Sequence, residues 1–271
     1  MTTSDFPYLH GFSKEEQVRL REQAAFAEHA VYQNLDFSEV KRLLEIGCGV
    51  GAQTEILLRR FPELSIVGID SSVRQLEAAK INLSDAIGRK QVEIHEMDAA
   101  KLNLTGTFDA AFICWLLEHV PEPLRVLSEA RRVLSPGGQI CVTEVMNHTF
   151  FLEPYSPNTW KYWQAFNDFQ HEQAGDPFVG AKLGNLLSAS GFGNIETNVR
   201  QWHWDNREPN KRKRFLEYWS DLLLSAAGQL LSAGAVDSET IEKTREELET
   251  VRHDPNAVFM YAFMQARATR H

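Results

Sequence analysis

From about Val40 to Val145 the chain alternates short apolar runs with stretches whose apolar residues recur every three or four positions, and turn residues separate the two. Apolar runs bounded by turns predict buried strands, and the 3.6-residue recurrence predicts amphipathic helices. Strands are predicted over Lys41–Gly47, Leu64–Asp70, Gln91–Met97, Phe108–Trp115 and Gln139–Val145. Helices are predicted over Gln53–Arg60, Val73–Ile87 and Pro123–Leu134, the second closed by Gly88 and the third ended by Pro136-Gly137-Gly138. This alternation is the signature of parallel strands joined by crossover helices, and a run such as AAFIC needs helices over both faces of the sheet.

Outside that region the pattern is less regular. Ser13–His29 reads as a helix, with Ser13 and Glu16 spaced as a capping box. Lys182–Ser190 is a helix stopped by Gly191, Asn194–Trp202 a strand, and AVFMYAFMQAR, Ala257–Arg267, a last strand. Between these strands Phe215, Trp219, Leu222, Leu223, Ala226, Leu230 and Leu231 keep helical spacing, and a second helix covers Ser238–Arg252. An insertion there is expected to lie as a lid on the sheet. The expected fold class is α/β, a doubly wound, mostly parallel sheet with helical lid insertions.

Composition narrows the function. The 271 residues carry a net charge of −9, which lacks the basic footprint of a nucleic-acid partner or an anionic membrane surface. The longest apolar run, Ala110–Leu117, is far shorter than the roughly 20 residues of a membrane span. The opening MTTSDFPYLHGF has no secretory pattern, so the expected compartment is the reducing cytoplasm. Cys48, Cys114 and Cys141 are odd in number and widely spaced, which argues against a disulfide framework, and Glu144 with His148 supplies too few ligands for a metal.

The segment LLEIGCGVG, Leu43–Gly51, carries the chemistry. A strand ends at Ile46, and Gly47, Gly49 and Gly51 allow a tight turn and close approach of backbone to a ligand before a helix begins. Asp70 ends the next strand 23 residues after Gly47, where a carboxylate can accept from both hydroxyls of a ribose. The glycine spacing departs from the dinucleotide pattern, and Glu45 would sit poorly beside a pyrophosphate but suits a ligand bearing an ammonium and a sulfonium.

In order and spacing, Val40–Val145 resembles the class I methyltransferases that use S-adenosyl-L-methionine. The resemblance implies a seven-stranded Rossmann-like sheet whose last strand is inserted antiparallel. It implies that Gly47, Cys48, Gly49 and Gly51 pass under the methionine part of the cofactor, that Glu45 orders it, and that Thr54 opens the following helix. Asp70 matches the ribose acid, Asp98 with Ala99 the adenine contact, and Cys114 and Trp115, in ICWLLEHVPEP, the wall along the cofactor. The N-terminal Tyr8–Ala24 resembles a cap in which Tyr8 reaches the cofactor. The implied organisation is a helical cap over residues 1–35 and a methyltransferase domain over 36–271 with lids at about 147–180 and 205–255. Signatures of nucleic-acid methylation are missing from the sequence, so the implied acceptor is a small molecule.

The catalytic candidate is His119, at the carboxyl edge of the fourth strand, where open α/β sheets bind ligands. His148 and His10 share that edge with less claim, and in-line alignment of acceptor and methyl could dispense with a base. Trp160, Trp163, Trp202, Trp204 and Trp219 all lie in the covering regions, either as core anchors or as the wall of a pocket for an aromatic or amine-containing acceptor. Lys211-Arg212-Lys213-Arg214 reads as a solvated helix face, and the Leu-rich stripe after it as core or a homodimer contact. Two other readings stay open at this stage: an NAD(P)-dependent oxidoreductase and a catalytically silent cofactor-binding scaffold.

Overall fold

A computed structural model describes residues 14–271. Tyr8, His10 and Ser13 therefore lie outside the described residues, and Glu16, paired with Ser13 in the expected capping box, holds Arg19 through two contacts of 2.6 and 2.7 Å.

The alternating region folds as its pattern predicts. Strands β1 (Arg42–Ile46), β2 (Ser65–Asp70), β3 (Val92–Glu96) and β4 (Phe108–Cys114) pair in parallel in the order β3-β2-β1-β4. Strand β5 (Leu134–Val145) continues the parallel set beside β4. Helix α1 (Lys14–Val31) precedes β1, and α2 (Ala52–Arg60), α3 (Val73–Asn82), α4 (Ser84–Gly88) and α5 (Pro123–Val133) are the crossovers. The single helix expected from Val73 is thus two, parted at Leu83.

After β5 come β6 (Phe151–Glu153), α6 (Pro157–Glu172), α7 (Leu183–Ala189), β7 (Phe192–Trp204), α8 (Pro209–Ser225), α9 (Ala227–Ser232), α10 (Ser238–His253) and β8 (Val258–Arg270). β8 is inserted antiparallel beside β5, as expected of the last strand, and β7 occupies its far edge from Phe192↔Arg270 to Trp204↔Phe259. The short β6, absent from the sequence reading, pairs with Val258–Met260. With β7 on one edge of β8, β6 falls on the other, in line with β5, so the sheet keeps seven ranks although eight strands form it.

Strand alternation divides the core between two faces. Leu43, Phe112 and Phe263 pack under α1, α2, α8 and α10, whereas Leu44, Ile46 and Ile113 pack under α5 and α7. The chain winds one way from β1 to β3 and the other way from β4, so the crevice of a doubly wound sheet opens at the carboxyl ends of β1 and β4. Helices α6, α8 and α10 pack together as a lid layer above it.

One expectation fails here. Arg212 is 1% exposed, and its guanidinium donates to the carbonyls of Asp254, Pro255 and Ala257, the turn that leads into β8. The basic run is a solvated face only at Lys211, Lys213 and Arg214. Among the described residues, no helix is long and apolar enough to cross a membrane, and no cluster of metal-ligand type occurs.

Candidate active site

The loop after β1 is tied to β2 by its own backbone. The N–H groups of Gly47 and Cys48 both donate to the Ile69 carbonyl, at 2.8 and 2.9 Å, and Gly51 N–H closes the turn on Cys48. Gly47, Gly49 and Gly51 have φ of 78°, 52° and 80°, the left-handed region that glycine enters without strain. They differ in what a side chain would meet: Leu116 at Gly47, Leu83 at Gly51, and nothing within 4 Å at Gly49. A side chain at the first or last glycine would strike the core, whereas at the middle one it would meet open space.

Asp70 closes this cradle. One carboxylate oxygen accepts from Gly49 N–H at 2.9 Å and the other from Ser72 N–H at 2.8 Å. Burial raises the Asp70 carboxyl above its ordinary value, and these backbone donors oppose the rise. Asp70 also accepts, through its carbonyl, the Met97 N–H, which brings the turn after β3 alongside. There Asp98 receives the Ala100 N–H at 2.8 Å and forms the turn.

Glu45 and Thr54 lie beneath the cradle, not in it. The Glu45 carboxylate, 2% exposed, accepts from the Thr54 hydroxyl at 2.6 Å, and burial pushes its carboxyl up to about 8. Neither residue borders the cavity, nor does Gly51. β1 points Glu45 under the loop, where its bond to α2 sets the angle at which that helix leaves.

The cavity holds about 760 Å³ and runs without a break from the cradle to the lid. Gly47, Cys48, Gly49, Asp70, Asp98, Ala99, Cys114 and Trp115 border it, as does His119. His148 does not; its ring packs on Phe178. Of the five late tryptophans, Trp163, Trp202 and Trp219 line the cavity while Trp160 and Trp204 stay in the surrounding core. Phe166, Tyr218 and Tyr261 complete a wall of rings, and α1 adds Arg19, Leu20, Gln23 and Ala24.

Trp115 has φ of 55°, an outlier for an aromatic residue. The conformation is held by Trp115 N–H bonding to the Thr143 carbonyl at 2.9 Å and by ring contacts with Trp202 and Phe263. Glu144, treated in the sequence only as an inadequate metal ligand, is fully buried and accepts Leu116 and Leu117 N–H at 3.0 and 2.7 Å, fixing the loop after β4. Asn147 ties the loop after β5 to the lid: it accepts from Tyr261 at 2.6 Å, donates to Asn167 at 2.7 Å, and receives Trp163 through its carbonyl. Sequence reasoning missed Glu144 and Asn147 as structural groups, although a lone acid ending the apolar run ICVTEV was a visible signal.

A seven-rank sheet with an antiparallel last strand, a glycine cradle and an acid closing it define a nucleoside-cofactor fold of the methyltransferase type. Residues 44–142 match the methyltransferase domain family. The chain is 31% identical over 112 residues to a ubiquinone biosynthesis O-methyltransferase of Psychrobacter arcticus, covering 40% of this chain and 41% of that protein. It is 32% identical over 107 residues to a trans-aconitate 2-methyltransferase of Deinococcus radiodurans, covering 40% and 39%. The matches thus span about two fifths of the length of these relatives. In structure, it superposes on Haemonchus contortus phosphoethanolamine N-methyltransferase 2 in complex with S-adenosyl-L-methionine, with a TM-score of 0.55, 17% identity, and coverage of 92% of this chain and 52% of that one. The chain carries a class I S-adenosyl-L-methionine-dependent methyltransferase domain, and S-adenosyl-L-methionine is the cofactor of that domain.

Proposed function

We propose that this chain transfers the methyl group of S-adenosyl-L-methionine to an oxygen of a small, uncharged, ring-bearing molecule. The observation that carries this reading is the single cavity that joins the glycine cradle to a chamber walled by Trp163, Trp202, Tyr218, Trp219 and Tyr261. Its cradle end suits the cofactor: Gly49 offers room for close approach, Asp70 an acid at ribose position, and Asp98 with Ala99 a polar edge for the adenine. Cys48, Cys114 and Trp115 form the side wall, and Tyr8 is assigned to the cap. When bound, the cofactor supplies a methyl group already activated on a cationic sulfur.

The chamber's charges choose among acceptors. Five acids and two arginines border the cavity, and both arginines are engaged, Arg19 with Glu16 and Arg125 with Glu122. A polycarboxylate, as in the name of the Deinococcus relative, would find both guanidiniums already engaged, whereas aromatic walls favour a flat apolar ring. The O-methyltransferase name of the Psychrobacter relative supports oxygen as the attacking atom. The lid layer and α1, proposed as a cap unit over residues 1–35, exclude water from the reaction.

The test is turnover with methyl-labelled cofactor and fractionated small-molecule extracts, read by transfer of label and release of S-adenosylhomocysteine. Label in a neutral aromatic product is expected. Cofactor binding with no release from any fraction would favour a silent scaffold.

A further inference from the structure

We infer that the lid end of the cavity holds a ring-bearing acceptor by its hydrogen-bond-accepting oxygens, through the Tyr218 hydroxyl and the indole N–H groups of Trp202 and Trp219; this rests on the methyltransferase reading above. The three side chains are 4%, 7% and 3% exposed and all border the cavity. Among the described residues no acceptor lies within hydrogen-bond reach of any of these donors. A buried donor left without an acceptor destabilises the fold unless something other than the chain meets it. Neighbours in the same wall are paired: Trp163 Nε1 donates to the Asn147 carbonyl at 3.0 Å, and the Tyr261 hydroxyl to Asn147 Oδ1 at 2.6 Å.

The three donors belong to one cluster of rings. Tyr261 packs on both indoles, with centroids 5.9 Å from Trp202 and 5.0 Å from Trp219, and Phe215 packs on Trp202 at 5.2 Å and on Tyr218 at 5.8 Å. Helix α8 carries Tyr218 and Trp219 while β7 carries Trp202, so the set assembles only when the lid packs on the sheet. Tyr218 faces Arg19 of α1, a group that only donates and cannot take the phenol proton. Burial holds the phenol far above its ordinary value although the Arg19 charge opposes the rise, so the hydroxyl keeps its proton. An indole N–H is likewise a donor alone. All three groups therefore call for the same thing in a ligand, an oxygen that accepts.

The class of ligand follows. A carbonyl or ether oxygen on a flat ring satisfies such donors while the ring fills the space between aromatic walls. A bare hydrocarbon ring fills the space and leaves the donors unmet. In a chamber without available donors the order reverses, since a carbonyl gives up its bonds to water on entry and regains none. The relative affinity of a ketone and its parent hydrocarbon thus reports on the wall. Trp204 Nε1 also lacks a partner, yet Trp204 does not border the cavity, and it serves as the internal control.

The experiment titrates the full chain, saturated with S-adenosylhomocysteine, with 1-indanone and with indane by calorimetry. The parent is expected to bind 1-indanone at least about fivefold more tightly than indane. Tyr218→Phe removes only the hydroxyl; it should weaken 1-indanone about fivefold, leave indane unchanged, and not lower the thermal midpoint of the ligand-free protein. Trp202→Phe and Trp219→Phe should each narrow the ratio of the two affinities, and Trp204→Phe should not. The ratio is what is read, because losing an indole also removes packing area from both ligands. Indane bound as tightly as 1-indanone by the parent, or a ratio unmoved by Tyr218→Phe and by both cavity tryptophan variants, overturns the inference and leaves the methyltransferase reading standing. A parent that does not bind S-adenosylhomocysteine fails that reading itself, and the inference with it.

Discussion

Gly49 is the residue at which the absence of a side chain is a statement about a ligand. Its φ is in the left-handed region and a Cβ there would enter open cavity, so Gly49→Ala fits sterically in the empty protein yet costs about 1–2 kcal/mol of backbone strain and intrudes on the cofactor. The expected outcome is a loss of S-adenosyl-L-methionine affinity of about tenfold or more by calorimetry; unchanged affinity would show that the cofactor lies elsewhere. Glu45 makes a different prediction. Its carboxyl stands at about 8 against an ordinary 4.5, so the folded protein holds a proton that the unfolded chain releases between those values. Stability of the ligand-free protein should then fall as pH rises across that window. Glu45→Gln should flatten the decline in a series of thermal midpoints against pH, and a wild-type curve with no slope attributable to Glu45 would contradict the assignment.

At the scale of elements, the lid is held by caps supplied from a distance. Ser156 gives α6 no side-chain cap; instead Glu247 of α10 accepts the N–H groups of Asn158 and Thr159 at 3.1 and 2.8 Å, together with both side chains. Burial would raise its carboxyl, but these four donors bring it below the ordinary value. Glu247→Ala should cost about 1–3 kcal/mol by denaturant unfolding, with a rise in KM for the acceptor because α6 carries Trp163 and Phe166. Arg212→Met should cost about 3 kcal/mol by leaving three carbonyls before β8 unpaired. Equal stability of either variant to the parent would remove the cap in question from the account. These contacts also mark the limit of what the sequence discloses. Strands β1 to β5 and their helices were legible because burial on both faces and helical spacing are local signals. Arg212 was misread because its partners lie 42 to 45 positions away, and nothing local distinguishes it from Lys211 or Lys213. β6 was invisible because three residues carry no period, and the burial of Glu45 against Thr54 was invisible because spacing, unlike orientation, is all that one dimension shows.

At the scale of the whole molecule, the doubly wound sheet sets an open crevice at the carboxyl ends of its strands, and the inserted helices wall that crevice into a partly covered chamber. The cradle was legible as Gly47, Gly49 and Asp70; of the chamber only the gathering of tryptophans in the covering regions was legible, and which of them line it, Trp163, Trp202 and Trp219, is decided only when α6, β7 and α8 pack. The account's central claim is that the crevice at the carboxyl ends of β1 and β4 binds an adenosyl sulfonium through the Gly49–Asp70 cradle. Calorimetric titration of the chain and its Asp70→Ala variant with S-adenosyl-L-methionine, with NAD in parallel, tests it most directly. The account predicts one-to-one binding of S-adenosyl-L-methionine, at least about tenfold weaker in the variant, and no heat with NAD. Binding of NAD alone, or equal affinity for S-adenosyl-L-methionine in both proteins, would contradict it.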